Sequence, residues 1–100
     1  MQEQTAPDDV QTLHDLRRFI HRTLCEKENL LAEQFQMRES QLLIRGQVCG
    51  IQFSLKGPRS IRLNAIWTID QNQILFYGTQ GVRFLRVQLA NPIALEAAAA

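Results

Sequence analysis

The stretch that decides the fold is residues 57–89, GPRSIRLNAIWTIDQNQILFYGTQGVRFLRVQL. Within residues 61–69, every second position is apolar, and the positions between them are mostly polar. The apolar set is Ile61, Leu63, Ala65, Trp67 and Ile69. Because successive side chains of a strand point to opposite faces, this alternation predicts a strand with one apolar face. We therefore predict a central strand here, followed by two further strands that are connected by short polar turns at 70–73 and 78–81.

A second alternating pattern precedes this stretch. Cys49, Ile51, Phe53 and Leu55 alternate with small or polar residues, which predicts another strand, and Gly57-Pro58 ends it. Short connections favour antiparallel neighbours, so the four strands should form a meander. Residues 35–46 are ambiguous: they could be the end of a helix, a short strand or a segment that folds back over the sheet.

The first third of the chain predicts one long amphipathic helix. Pro7-Asp8-Asp9 provides a helix start, and from Val10 to about Leu31 most apolar residues fall on one stripe. That stripe must be buried against the sheet. The predicted fold is therefore α+β, with one N-terminal helix packed on a four-stranded antiparallel meander in two layers. This order of elements, in which no motif takes part, is similar to that of cystatin-like helix-plus-sheet rolls.

Size and composition indicate one ordinary domain. The chain has 100 residues, of which 45% are hydrophobic and 21% charged. We expect residues 1–7 to be disordered, residues 8–90 to form the domain, and the alanine-rich residues 91–100 to be a flexible tail. No apolar run approaches the ~20 residues that span a bilayer, and the polar amino end does not resemble a secretory signal. Because Cys25 and Cys49 are the only cysteines, we expect reduced thiols and a cytoplasmic location.

The strand pattern predicts a second apolar face that the helix cannot cover. Residues 74–77 are apolar at four successive positions, so this strand should be apolar on both faces. The residues assigned to the second face are Ile66, Leu75, Tyr77, Leu85 and Val87. A large exposed apolar patch usually marks an interaction site, and two-fold homo-oligomers are common, so we predict a homo-oligomeric interface here. The alternative is a strongly curved sheet that wraps around the helix.

Charge is unevenly distributed along the chain. Residues 1–39 hold five Lys and Arg against eight Asp and Glu, whereas residues 40–90 hold six Lys and Arg against Asp70 alone. In a meander, the turns at 57–60 and 78–81 lie at the same end of the sheet. Four basic residues should gather there: Lys56, Arg59, Arg62 and Arg83. Such a cluster could bind an anion, a nucleic-acid backbone or an acidic protein, although solvated charges that merely protect exposed strands would look the same.

The sequence contains no catalytic or metal-binding signature. His14, His21 and Cys25 share one side of the helix, but a structural zinc site needs four ligands, and only Cys49 remains among the His and Cys residues. Paired carboxylates and the common nucleophile and phosphate-loop motifs are missing, so a catalytic role is disfavoured without being decided. Trp67 and Tyr77 could stack on a ligand, but their strand positions favour core roles.

These observations lead to three hypotheses about function. The first is a small non-catalytic interaction or oligomerisation module that uses the second face of its sheet. The second is an anion or nucleic-acid binder that uses the basic cluster. The third is a small-molecule pocket between helix and sheet. None of these three hypotheses requires a cofactor.

Overall fold

A computed structural model describes the backbone of residues 2–5 and the whole of residues 9–94. These residues form one α-helix and six strands. They are β1 (Gln2–Thr5), α1 (Leu13–Lys27), β2 (Met37–Ile44), β3 (Gln47–Lys56), β4 (Arg62–Thr68), β5 (Gln73–Tyr77) and β6 (Arg83–Gln88). The strands form one sheet in the order β1-β6-β5-β4-β3-β2. Strands β2 to β6 are an antiparallel meander, and β1 pairs with β6 in parallel.

The predicted helix on an antiparallel meander is confirmed, and so is the central position of β4. The number of strands was wrong, because the ambiguous segment supplies β2 and residues 2–5 supply β1. The sheet therefore has two strands more than the predicted four-stranded meander. β2 and β3 are joined by a tight hairpin turn in which Arg45 and Gly46 have φ angles of 52° and 80°. β2 is an edge strand that is mostly exposed on both faces, which is why it lacks the apolar alternation that marks β3 and β4.

The two ends of the chain differ in part from the prediction. Residues 2–5 form β1, although residues 1–7 were predicted to be disordered; residues 1, 6 and 7 lie outside the described residues. Of the predicted tail, residues 91–94 have no regular secondary structure, and residues 95–100 lie outside the described residues. The side chain of Ile93 packs against the core, and the carbonyl oxygen of Asn91 accepts a hydrogen bond from Asn72 Nδ2 at 2.9 Å.

α1 begins later and ends earlier than predicted. Thr12 is its N-cap: Thr12 Oγ1 accepts a hydrogen bond from the Asp15 N–H at 3.1 Å, and Asp15 Oδ2 accepts one from the Thr12 N–H at 3.2 Å. This capping box satisfies main-chain donors that the first turn leaves without helical partners. Asn29, with φ of 56°, turns the chain away after the last helical residue, Lys27.

The core lies between α1 and one side of the sheet, which we call the helix face. The helix contributes six buried residues, and β3, β4, β5 and the β6 segment contribute eleven more. The helix residues are Leu13, Leu16, Phe19, Ile20, Leu24 and Cys25; those of the sheet are Ile51, Phe53, Leu55, Leu63, Ala65, Trp67, Ile74, Phe76, Leu85, Val87 and Leu89. Trp67 is 1% exposed, and its Nε1–H donates to Asn72 Oδ1 at 3.1 Å, which confirms its core role.

The predicted position of Leu85 and Val87 on the second face was wrong. Leu85 pairs with Phe76 and Val87 pairs with Ile74, so both lie on the helix face, where they are buried. A bulge is responsible: Tyr77 pairs with Arg83, and Phe84 is the extra residue between the two registers. The apolar area on the other side of the sheet is correspondingly smaller than the sequence indicated.

Candidate binding face of the sheet

The side of the sheet turned away from α1, which we call the open face, is the strongest candidate for a functional surface. Its side chains on β2 to β6 are half-buried or exposed, in contrast to the core side chains that β3 to β6 place on the helix face. Ile66, Leu75 and Tyr77 are half-buried on it, with Ile66 opposite Leu75. Tyr77 is therefore not a core residue, in contrast to the interpretation from sequence. Three of the five predicted interface residues lie on this face.

Strand register brings one row of polar and aromatic side chains across the open face. Arg38 lies opposite Ser54, Ser54 opposite Asn64, Asn64 opposite Tyr77, and Tyr77 opposite Arg83. Because neighbouring strands lie about 4.8 Å apart, this row, which we call the Tyr77 row, is about 19 Å long. It has an arginine at each end and hydrogen-bonding or aromatic groups between them.

A second feature of the open face is a basic concavity of about 570 Å³ at the end of the sheet where β3 turns into β4. Arg38, Lys56 and Arg62 line it, together with the polar groups of Ser54 and Asn64. Lys56 and Arg62 are direct cross-strand partners, an arrangement of like charges that destabilises a sheet. A bound anion would relieve that repulsion.

The residues of β2 to β6 that lie on the open face include no aspartate or glutamate. Glu39 of β2 points to the helix face, where it forms an ion pair with Arg17 at 2.6 Å. Arg86 lies opposite Leu75 on the open face and takes part in other interactions. Over β2 to β6 the open face is thus cationic, with Arg38, Lys56, Arg62 and Arg83 as its main charges; in β1, Glu3 is the register partner of Arg86.

The structure places three of the four residues of the predicted basic cluster on the open face and the fourth in a turn. Lys56, Arg62 and Arg83 lie on the open face near the same end of the sheet. Arg59 lies in the β3–β4 turn, is exposed, and has φ of 57°. Sequence reasoning missed Arg38, because the residues around it could not be assigned to a strand. The alternation of Arg38, Glu39 and Ser40 assigns Arg38 to a face of the sheet only when the pairing of β2 with β3 is known.

The histidines and cysteines form no comparable site. His21 Nε2 lies 2.6 Å from the carbonyl oxygen of Phe35, so this nitrogen carries the proton and donates it to a main-chain acceptor. Cys25 is buried, and burial raises the pKa of its thiol, which lowers the fraction of reactive thiolate. Among residues 9–94, no group of three or more His, Cys, Asp and Glu side chains is arranged to hold a metal ion.

Comparison of the chain with protein-family models, with curated proteins and with solved structures finds no match. Over the described residues, no helix has the length and apolar character that a membrane span requires.

Proposed function

We propose that this protein is a small non-catalytic binding module that holds a polyanionic partner on the open face of its sheet. The observation that carries the proposal is the placement of Arg38, Lys56, Arg62 and Arg83 around the polar and aromatic groups of the Tyr77 row, with no carboxylate among the open-face residues of β2 to β6. Each exposed cation contributes little by itself, but several of one sign on a concave surface attract an extended anion and raise its association rate.

The test is a titration with a polyanion, for which fluorescently labelled heparin is a suitable probe. Lys56→Gln combined with Arg62→Gln removes the like-charge pair of the concavity, and we expect affinity to fall at least ~10-fold at about 50 mM salt. The matched control is Arg18→Gln combined with Arg22→Gln, which removes two exposed charges from α1 and alters net charge equally. Equal losses in both variants would mean that net charge alone attracts the polyanion, and no binding of the unmodified protein would refute the proposal.

Self-association is a second candidate, and a different observation favours it. Packing two copies through their open faces would bring these four cations of each copy together, with no carboxylate among the open-face residues of β2 to β6, which costs electrostatic energy. The β2 edge lacks that obstacle: it has eight residues, contains neither proline nor lysine, and ends in Leu43 and Ile44, which are 59% and 63% exposed. β2 carries the charges of Arg38 and Glu39 and an irregular register between Leu42 and Leu43, so it is the exposed apolar end of this edge that is available to pair with another strand.

Light scattering after size exclusion tests self-association through β2. Leu43→Lys should convert a dimer to a monomer, whereas Leu31→Lys, at a site that is 55% exposed but outside the sheet, should leave its mass unchanged. A strictly monomeric protein at high concentration would remove this candidate.

Fewer structural observations support the remaining hypotheses. A ligand pocket between helix and sheet would have to displace fully buried side chains such as Leu16, Ile20 and Phe53. A reducing, cytoplasmic environment is proposed on the basis of the two free cysteines, Cys25 and Cys49.

A further inference from the structure

The polar character of the open face distinguishes between kinds of anionic partner. Protein–protein interfaces usually have an apolar centre from which charged residues are depleted, whereas nucleic-acid interfaces are more polar and much more positively charged. Of the strand residues on the open face, most carry amide, hydroxyl or cationic groups. Those on β3 to β6 with an amide or a hydroxyl are Gln52, Ser54, Asn64, Thr68, Gln73, Tyr77 and Gln88.

We propose that the polyanion is a single-stranded nucleic acid that lies across the Tyr77 row. The inference rests on the proposed function of the open face and adds the class of partner. Arg38 and Arg83 at the two ends of the row, with Lys56 and Arg62 in the concavity beside it, contact phosphates. The half-buried ring of Tyr77 provides a stacking surface for one base, and the neighbouring Asn64 amide hydrogen-bonds to a base edge.

The dimensions of the row and the shape of the face favour a single strand. Sheet faces of comparable breadth in RNA-binding domains hold two or three stacked bases, which matches a row about 19 Å long. Reading a duplex in the major groove requires a protruding helix or two-stranded ribbon. α1 is packed on the opposite side of the sheet, so within residues 9–94 the open face is formed by strands, and strand side chains can contact the exposed bases of a single strand.

Direct binding measurements separate this inference from its alternatives. The probes are labelled single-stranded oligouridylate and oligothymidylate of about 12 nucleotides, a duplex of the same length, and a polyglutamate peptide. We expect both single strands to bind more tightly than the duplex and the peptide. With about four phosphates neutralised, log K should fall with log salt concentration at a slope near −3, and Arg38→Gln with Arg83→Gln should reduce that slope by about 1.4. Oligodeoxyuridylate, which differs from oligouridylate only in lacking the 2′-hydroxyl, shows whether the protein distinguishes RNA from DNA.

Tyr77 provides the decisive variants. Tyr77→Leu keeps an apolar side chain on the face but removes the ring, and we expect single-strand affinity to fall by about 5- to 150-fold, as for loss of one stacked base. Tyr77→Phe should stay within about twofold of the unmodified protein, because the ring persists. Thermal melts by circular dichroism show that each variant is folded before its affinity is compared.

The possible failures of the two proposals are distinguishable. If polyglutamate or the duplex binds as tightly as the single strands, or if Tyr77→Leu binds like Tyr77→Phe, the nucleic-acid inference is overturned while the open face remains a polyanion site. If none of these probes binds and heparin does not bind either, both proposals are refuted.

Discussion

Replacing Gly50 with alanine should strongly destabilise the fold, although Gly50 has an ordinary backbone conformation. Gly50 lies on β3 directly opposite Thr68 of β4. A Cβ atom added there would approach the Trp67 carbonyl oxygen inside the 3.0 Å that real Cβ atoms essentially never breach, and would lie 3.4 Å from the carbonyl carbon and 3.6 Å from the Thr68 Cα. All three obstacles are main-chain atoms, so no side chain can rotate away to make room.

The expected cost follows from the way in which this part of the sheet is held. The Ile69 N–H donates to the Cys49 carbonyl oxygen at 3.1 Å, and Trp67 beside the clash is buried in the core, so β3 and β4 cannot separate locally. Overpacking in a well-packed region costs roughly 1–3 kcal/mol. Because backbone must move here, we expect about 2–3 kcal/mol, which corresponds to a fall in Tm of roughly 10 °C or more for a domain of this size.

Urea unfolding followed by circular dichroism measures this cost, with Gly46→Ala as the matched control. A Cβ at Gly46 would meet no atom within 4 Å, and its φ of 80° is the only obstacle, worth about 1 kcal/mol. The two alanine variants therefore compare a steric cost with a conformational one. The close approach of β3 and β4 at Gly50 would be refuted if Gly50→Ala destabilised the protein no more than Gly46→Ala.

Three further predictions concern stability. Trp67→Ala should cost about 3–5 kcal/mol of unfolding free energy in urea, and a loss below about 1 kcal/mol would contradict the core role of the indole. Ser60 and Gly81 occupy equivalent left-handed positions in the β3–β4 and β5–β6 turns, with φ of 65° and 73°. Ser60→Gly should therefore raise the free energy of unfolding by about 0.5–1 kcal/mol, and Gly81→Ser should lower it. Changes in Tm of the same sign for the two variants would contradict this prediction. Hydrogen bonds, first of all that from the Gln11 N–H, lower the pKa of Asp15 below its ordinary value. Because the pKa is lower in the folded state, the ionised carboxylate stabilises the fold above the unfolded-state pKa, and this stabilisation is lost as pH falls through the folded-state pKa. Asp15→Asn should therefore flatten the loss of stability below about pH 4. An unchanged dependence of stability on acid pH would contradict the capping role.

Local pattern was sufficient for much of the fold. Alternation along residues 61–69 predicted β4 and its central position because a strand with one wholly apolar face has to cover a core. The same argument located β3. The helix was recognisable from its stripe, but its start was misplaced at Pro7-Asp8-Asp9, since the reciprocal pair Thr12 and Asp15 was a second capping signal that the acidic run obscured.

Other features depended on pairing between segments that are distant in sequence. β2 is an edge strand with little burial, so hydrogen bonds to β3 rather than apolar pattern determine its conformation. Leu85 and Val87 form a clear alternating set, but that set does not reveal which side of the sheet it faces. The bulge at Phe84 and the pairing of β6 with β5 decide that question.

The candidate site also depended partly on local sequence pattern and partly on pairing between distant segments. The sequence by itself determined that Lys56, Arg62 and Arg83 gather at one end of a meander, because chain reversal at short turns dictates which strand ends are neighbours. Only the tertiary structure brought Arg38 and Tyr77 into one row with Ser54 and Asn64, because cross-strand register is a property of two strands together. Periodicity specifies which side chains share a face of their own strand; packing of α1 decides which face is covered, and therefore which one is open to bind a partner.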